Sequence, residues 1–262
     1  MSPTLLAQTD AWFIAFVLFA VMIVTLWLGK ITGSRLRARN PANDKYSEAS
    51  GISALLFFLL AFTFAMSGSR YDTRRTIVVE EANDIGTALL RSDLYPANHR
   101  ALFRNDFKKY VEARIAFYNA GVNETAIKKT DSLSQAIATK LWERAAFLSR
   151  DPVNFEATRQ MVPALNTMID IITTRMYASK ERVPESILIM LFFLSASCAF
   201  IGGYTAGRKG HIEWVAEIGF CFLISLVILF TLDLDRPRSG FVNLDVPSQA
   251  IVDLRQMFGK NE

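Results

Sequence analysis

Histidine and cysteine are nearly missing from this chain, with two of each among 262 residues. His99 and His211 stand in separate loops without a spaced ligand partner, which excludes the familiar His-based metal centres and an HExxH protease helix. Cys198 and Cys221 both fall inside long apolar runs. They form no disulfide framework and read as small buried apolar residues. No Gly-rich phosphate loop and no GxSxG elbow occur, so the chain is not expected to be an enzyme. Basic residues are scattered among acids and the formal net charge is only +4, which gives no reason to propose nucleic acid as a partner. Strand-like alternation of apolar and polar residues is absent too. Finally, no proline interrupts Gly51 to Gly86, and no glycine stands between Gly68 and Gly86.

What is abundant is apolar sequence, at 51% of residues with a positive mean hydropathy. Uncharged runs recur at Ala11 to Gly29, Gly51 to Ser69 and Ser186 to Gly207, and a fourth, Trp214 to Leu232, is broken only by Glu217. Each is near the roughly 20 helical residues that cross about 30 Å of hydrocarbon. The expected fold is an all-α integral membrane protein, with the lipid bilayer as its first partner. Four transmembrane helices form two pairs that flank a helical-bundle aqueous domain. The layout is a pair in 1–69, the aqueous domain in 70–184, a second pair in 185–232 and a C-terminal tail in 233–262.

The second span runs on without a break into RYDTRRTIVVEEANDIG, where Val78, Ala82, Ile85 and Leu89 keep one face at helical spacing. A membrane helix therefore continues out of the lipid as a rod. Beyond it, helices are expected with breaks at Pro96, Ala120-Gly121, Asp151-Pro152 and before Pro184. Leu102, Phe103, Phe107, Tyr110, Val111, Ile115 and Tyr118 share a face, as do Leu133, Ile137, Leu141, Ala145 and Leu148. Pro163 should kink or split the last helix of this bundle.

Charge suggests an orientation. Asp10 and the lack of Lys or Arg before the first run argue against a secretion signal. Lys30, Arg35, Arg37, Arg39 and Lys45 follow span one, and Arg208 and Lys209 lie between the last two spans. Positive short loops favour the cytoplasm, which puts the termini and the middle domain outside. Arg70, Arg74, Arg75, Arg175, Lys180, Arg182, Arg236 and Arg238 weigh on the other side, but long segments translocate largely regardless of charge.

The spans hold the candidate sites. In span two, Ser53, Leu56, Leu60, Thr63, Ser67 and Arg70 recur at three- and four-residue steps. Such a stripe suits a pore with a constriction at Leu56, Leu60 and Phe64, and Arg70 mildly favours an anion at one mouth; it also suits a packing face. Ala61 and Ala65 mark a different, small face. In span three, Ser195, Ala199, Gly203 and Gly207 form a ladder suited to intimate helix packing. Asp233 and Asp235 end span four and are matched by Arg236 and Arg238. They read as a stop signal closed by Pro237, or as a carboxylate site for Ca²⁺ completed by oxygen ligands from elsewhere. No other cofactor or metal is expected. Glu213 and Glu217 lie one turn apart, and Glu217 is the deeper candidate for a pore, proton or ion-pair role. Glu80 and Glu81 point about 100° apart on a helix and read as a solvated face.

One pattern goes further. Arg70-Tyr71-Asp72, Arg74-Arg75, Glu80-Glu81-Ala82-Asn83, Ile85 to Ala88, Arg91, Asp93-Leu94, Pro96 and Leu232 to Gly240, with Asp233, Asp235, Arg236 and Pro237, resemble the bestrophin-like group of bacterial and plant membrane proteins. The resemblance covers nearly the whole chain and implies four spans around a helical domain, in a bacterial inner (plasma) membrane. Bestrophins proper, more distantly similar, are pentameric ion channels with span two lining the pore and acidic residues after span four holding calcium. The resemblance thus implies a homo-oligomeric ion channel. The longer acidic cluster of bestrophins is absent here, and bestrophins keep their middle domain in the cytosol. A non-conducting scaffold or sensor that binds a partner through the middle domain is the other class of function the residues allow.

Overall fold

A computed structural model describes residues 9–39, 50–236 and 245–259. Lys45, Pro237 and Arg238 lie outside the described residues. The elements are α1 (Ala11–Arg39), α2 (Ser50–Arg91), α3 (Ala97–Asn119), α4 (Glu124–Leu148), α5 (Phe155–Lys180), α6 (Glu185–Lys209), α7 (Trp214–Asp235) and α8 (Asp245–Asp253), with short 3₁₀ turns after α2, α4 and α8. Among the described residues there is no strand. Helices α1, α2, α6 and α7 are long and apolar enough to cross a membrane. In α2 the apolar run and the charged amphipathic stretch form one helix of 42 residues, as the missing proline predicts. Helix α1 also outruns its apolar segment, so Arg35, Arg37 and Arg39 stand on its last turns rather than in a loop. Cations are favoured there by the helix dipole.

The chain divides into two compact units, Met1–Arg70 with Arg182–Arg236, and Tyr71–Glu181 with Pro237–Glu262. In the first, α1 packs along α6 through glycines on both helices. A Cβ on Gly203 would fall on the Leu26 carbonyl, and one on Gly207 on that of Lys30. Reciprocally, a Cβ on Gly29 would meet the Phe200 carbonyl and one on Gly33 the Tyr204 carbonyl. The two backbones touch. Ser195 and Ala199 continue the ladder as buried residues, and the Ser195 hydroxyl donates to its own helix at Leu191 O, 2.7 Å. Around this contact Met22, Leu26, Leu56, Leu60, Leu191, Ile224 and Ile228 form a buried apolar cluster. Gly210 ends α6 in the left-handed region, at φ +81°.

In the second unit, Val78, Ala82, Ile85 and Leu89 of α2 enter one core with Phe103, Phe107, Tyr110 and Val111 of α3, Leu141 of α4 and Met161 and Leu165 of α5. Leu102 and Leu133, expected on the core faces, are exposed at the edges of their stripes. Residues of the C-terminal tail join this core through Ile251 and Leu254. Helix α5 runs unbroken through Pro163. The missing proline N–H removes one ladder bond, to the carbonyl four residues back, and the helix continues on the bonds either side of it. Asp151 and Asn123 cap the following helical segments, accepting from Val153 N at 3.0 Å and Ala126 N at 3.1 Å.

Replacing Gly203 by Val must part α1 from α6, because its contact is with backbone and has no side chain to move aside. The expected cost is about 3 kcal/mol, near the upper end for overpacking. Thermal unfolding in detergent should show a clear drop for Gly203→Val and little change for Gly219→Ala, where a Cβ meets nothing within 4 Å.

Candidate functional site

Helix α2 carries most of the candidate residues, and their burial sorts them. Leu56, Leu60, Thr63 and Ser67 are buried inside their own unit, and Ser53 is half-buried with its hydroxyl 4.0 Å from Cys198 Sγ on α6. Thr63 Oγ1 donates back to Leu59 O at 2.6 Å. These four residues form a packing face within their own unit. Phe64, at 44% exposure, stands apart from that stripe. The opposite face of α2, which carries Ala54, Phe58, Ala61, Phe62, Ala65 and Ser69, is exposed, with Phe58 at 66% and Phe62 at 54%.

Arg70 is half-buried and faces the end of α7. Its Nη1 lies 3.9 Å from Asp235 Oδ1. Both Asp235 oxygens accept the Val183 N–H at 3.1 Å, the Arg182 guanidinium bonds the Asp235 carbonyl, and Arg236 donates to Thr9 O at 2.6 Å. Asp233 and Asp235 are both buried. The end of α7 is thus tied to the segment that begins α6 and to the residues just before α1.

Within the second unit the α2 motif divides in two. Asp72, Arg75, Glu80 and Asn83 are exposed and Tyr71 is half-buried. Arg74 is buried and closes the end of α5, donating to Ala178 O at 3.2 Å and Glu181 O at 3.0 Å. Glu81 is fully buried, against the expectation of a solvated face. Its carboxylate accepts from Arg114 Nε, from the Tyr118 hydroxyl at 2.7 Å and from Arg175 Nη1 at 3.1 Å. Both guanidiniums lie over the ring of Phe117, that of Arg114 at 4.4 Å and that of Arg175 at 4.1 Å from its centroid. Burial pulls the Arg114 pKa down, but the charge of Glu81, its hydrogen bond and the neighbouring Tyr110 and Tyr118 together outweigh it, so the value rises. Burial, with Glu81 beside it, pushes the Tyr118 phenol well above its ordinary value and keeps it a donor. The missed signal was Arg114 itself, a charge set among Val111, Ile115 and Tyr118 on an apolar face. Asp106 gives a second case: burial raises its pKa, but hydrogen bonds from Lys140 at 2.8 Å and Arg144 at 2.6 Å bring it below the usual range.

A Bestrophin-like domain profile matches residues 11–247. The chain belongs to the bestrophin-like family. No curated protein sequence matches it. Among solved structures it is similar to a bacterial bestrophin homologue from Klebsiella pneumoniae, at 12% identity and a TM-score of 0.67, over 92% of this chain and 98% of that one. A mutant of that homologue matches at 11% identity with the same TM-score, over 91% of this chain and 98% of that one. At such identity the likeness concerns the fold.

The bestrophin-like fold raises the question of calcium after the fourth span, and the donors here do not fit it. Ca²⁺ takes six to eight oxygens. Among the described residues no group of three or more acidic, His or Cys side chains gathers. Asp235 already serves a backbone amide and faces Arg70, with Arg182 and Arg236 adjacent. Arginine supplies the positive charge.

Removing the Glu81 charge leaves the buried Arg114 with only Asp131, at 3.9 Å, as a counter-ion. Glu81→Gln is expected to cost about 3 kcal/mol, seen as a lower melting temperature of the purified protein. Glu80→Gln, one position away and exposed, should leave the melting curve in place.

Proposed function

We propose that this bestrophin-like chain is the subunit of a homo-oligomeric ion channel, a pentamer by analogy with bestrophins, whose conduction path is lined by the outward face of α2. The observation that carries this reading is the split in burial along α2. One stripe is enclosed by the chain, and the opposite face presents Phe58 and Phe62 among the small residues Ala54, Ala61 and Ala65. Large rings among small side chains, repeated around an axis, make a hydrophobic constriction that gates by dewetting. One turn beyond Ser69 the same face carries the exposed Asp72, whereas Arg70 is engaged with Asp235. A ring of carboxylates favours cations. This replaces the anion preference that Arg70 alone suggested.

The test is current through purified protein in planar bilayers. Phe58→Ala should raise conductance by widening the constriction, and Asp72→Asn should shift the reversal potential in a salt gradient towards that of the anion. Leu60→Ala should cost about 2–5 kcal/mol of stability, as for a buried leucine, with selectivity unchanged. An oligomer silent in every variant would instead support a scaffold that binds a partner through the second unit.

For orientation we retain the charge reading, with Lys30, Arg35, Arg37, Arg39, Arg208 and Lys209 on the cytoplasmic side. Val122, 68% exposed between α3 and α4, is the reporter. Val122→Cys is expected to react with an impermeant thiol reagent in intact cells; reaction only after lysis would place this unit in the cytosol.

A further inference from the structure

Between α1 and α6 the first unit carries an open groove of about 280 Å³. Buried Ile14 and Leu18 form its floor, half-exposed Phe13, Val17 and Val21 one wall, and Phe192 the other. Thr9 closes one end. That end leaves the apolar run and turns ionic. The Thr9 carbonyl accepts from Arg236, the charges of Arg182 and Asp10 act on Arg236, and both Arg182 and Asp10 are exposed.

We infer that this groove is a lipid-binding site that seats one acyl chain of a membrane phospholipid, with the phosphodiester at the Arg182 and Arg236 rim. Length supports the assignment. From Thr9 to Val21 the wall follows α1 for roughly 18 Å at 1.5 Å per residue, close to half of an approximately 30 Å hydrocarbon core, and one leaflet's chain has that reach. Charge at the rim matches the headgroup level, where guanidinium takes phosphate oxygens in paired hydrogen bonds. Asp10 beside them suits the ammonium of a zwitterionic headgroup. The apolar floor has no polar group to satisfy, so the occupant must be apolar along its length and charged at one end.

Native mass spectrometry of the purified protein with added phosphatidylethanolamine tests the site. Wild type should retain one lipid per chain. Val17→Trp fills the groove from its exposed wall, and because displacing even two methylenes corresponds to about tenfold in affinity, retention should fall at least that far. Val24→Trp, on an exposed position of α1 outside the groove, should bind as wild type does. Arg182→Gln should weaken retention of the phospholipid and leave that of a headgroup-free diacylglycerol unaltered. Equal loss in Val17→Trp and Val24→Trp, no loss in either, or a changed subunit number in Val17→Trp without loss of lipid would overturn the assignment. The last would make the groove a seat for a second copy. Equal melting temperatures of the variants in lipid-free detergent separate lost binding from lost folding.

Discussion

Hydrocarbon gives apolar helices no hydrophobic reason to associate, and the first unit depends on the backbone contact between α1 and α6 that replaces that drive. Gly29 and Gly33 on one helix face Gly203 and Gly207 on the other, and each would place a Cβ on a carbonyl of its partner. Such contact gains dispersion energy over the length of both helices. It also fixes what surrounds it. The stripe of α2 from Leu56 to Ser67 is buried within the same unit, and the groove is lined by residues of α1 and α6. Gly202, next to the ladder, makes room for the Glu217 carboxylate, which a Cβ there would meet at 2.9 Å.

The second recurring solution is arginine used as an internal counter-ion. Asp235 and Asp233 at the end of α7, Asp106 on α3 and Glu81 on α2 are all buried. An unpaired buried carboxylate would cost several kcal/mol or take up a proton. Guanidinium groups face three of them: Arg70 beside Asp235, Arg144 on Asp106, and Arg114 with Arg175 on Glu81. Around Glu81 the planarity of arginine matters, since both guanidiniums also stack on Phe117. Lysine there would lose the stacking even where it kept the charge.

Much of the architecture was legible because it follows from one-dimensional patterns. Three uncharged runs and a fourth broken only by Glu217 gave four spans, the missing proline gave a continuous α2, and Val78, Ala82, Ile85 and Leu89 all entered one core. The ladder from Ser195 to Gly207 announced close packing but not its partner; Gly29 and Gly33, at the same four-residue step, were the matching signal. The candidate site was less legible. A stripe such as Ser53 to Ser67 has the same composition whether it lines water or another helix, because hydroxyls like that of Thr63 satisfy themselves on their own backbone.

By itself, the sequence determined which segments lie in lipid, which helices are amphipathic and which family the motifs resemble, since hydropathy and helical period are properties of short stretches. Only the tertiary structure decided which face of α2 is left open, that Arg70 pairs with Asp235, and that Glu81 is buried while Glu80 is not. Each of those outcomes depends on groups brought together from distant positions, Glu81 with Arg114 and Arg175 or Arg70 with Asp235. Burial and counter-charge are set by such neighbours, and no periodicity along a single helix encodes them.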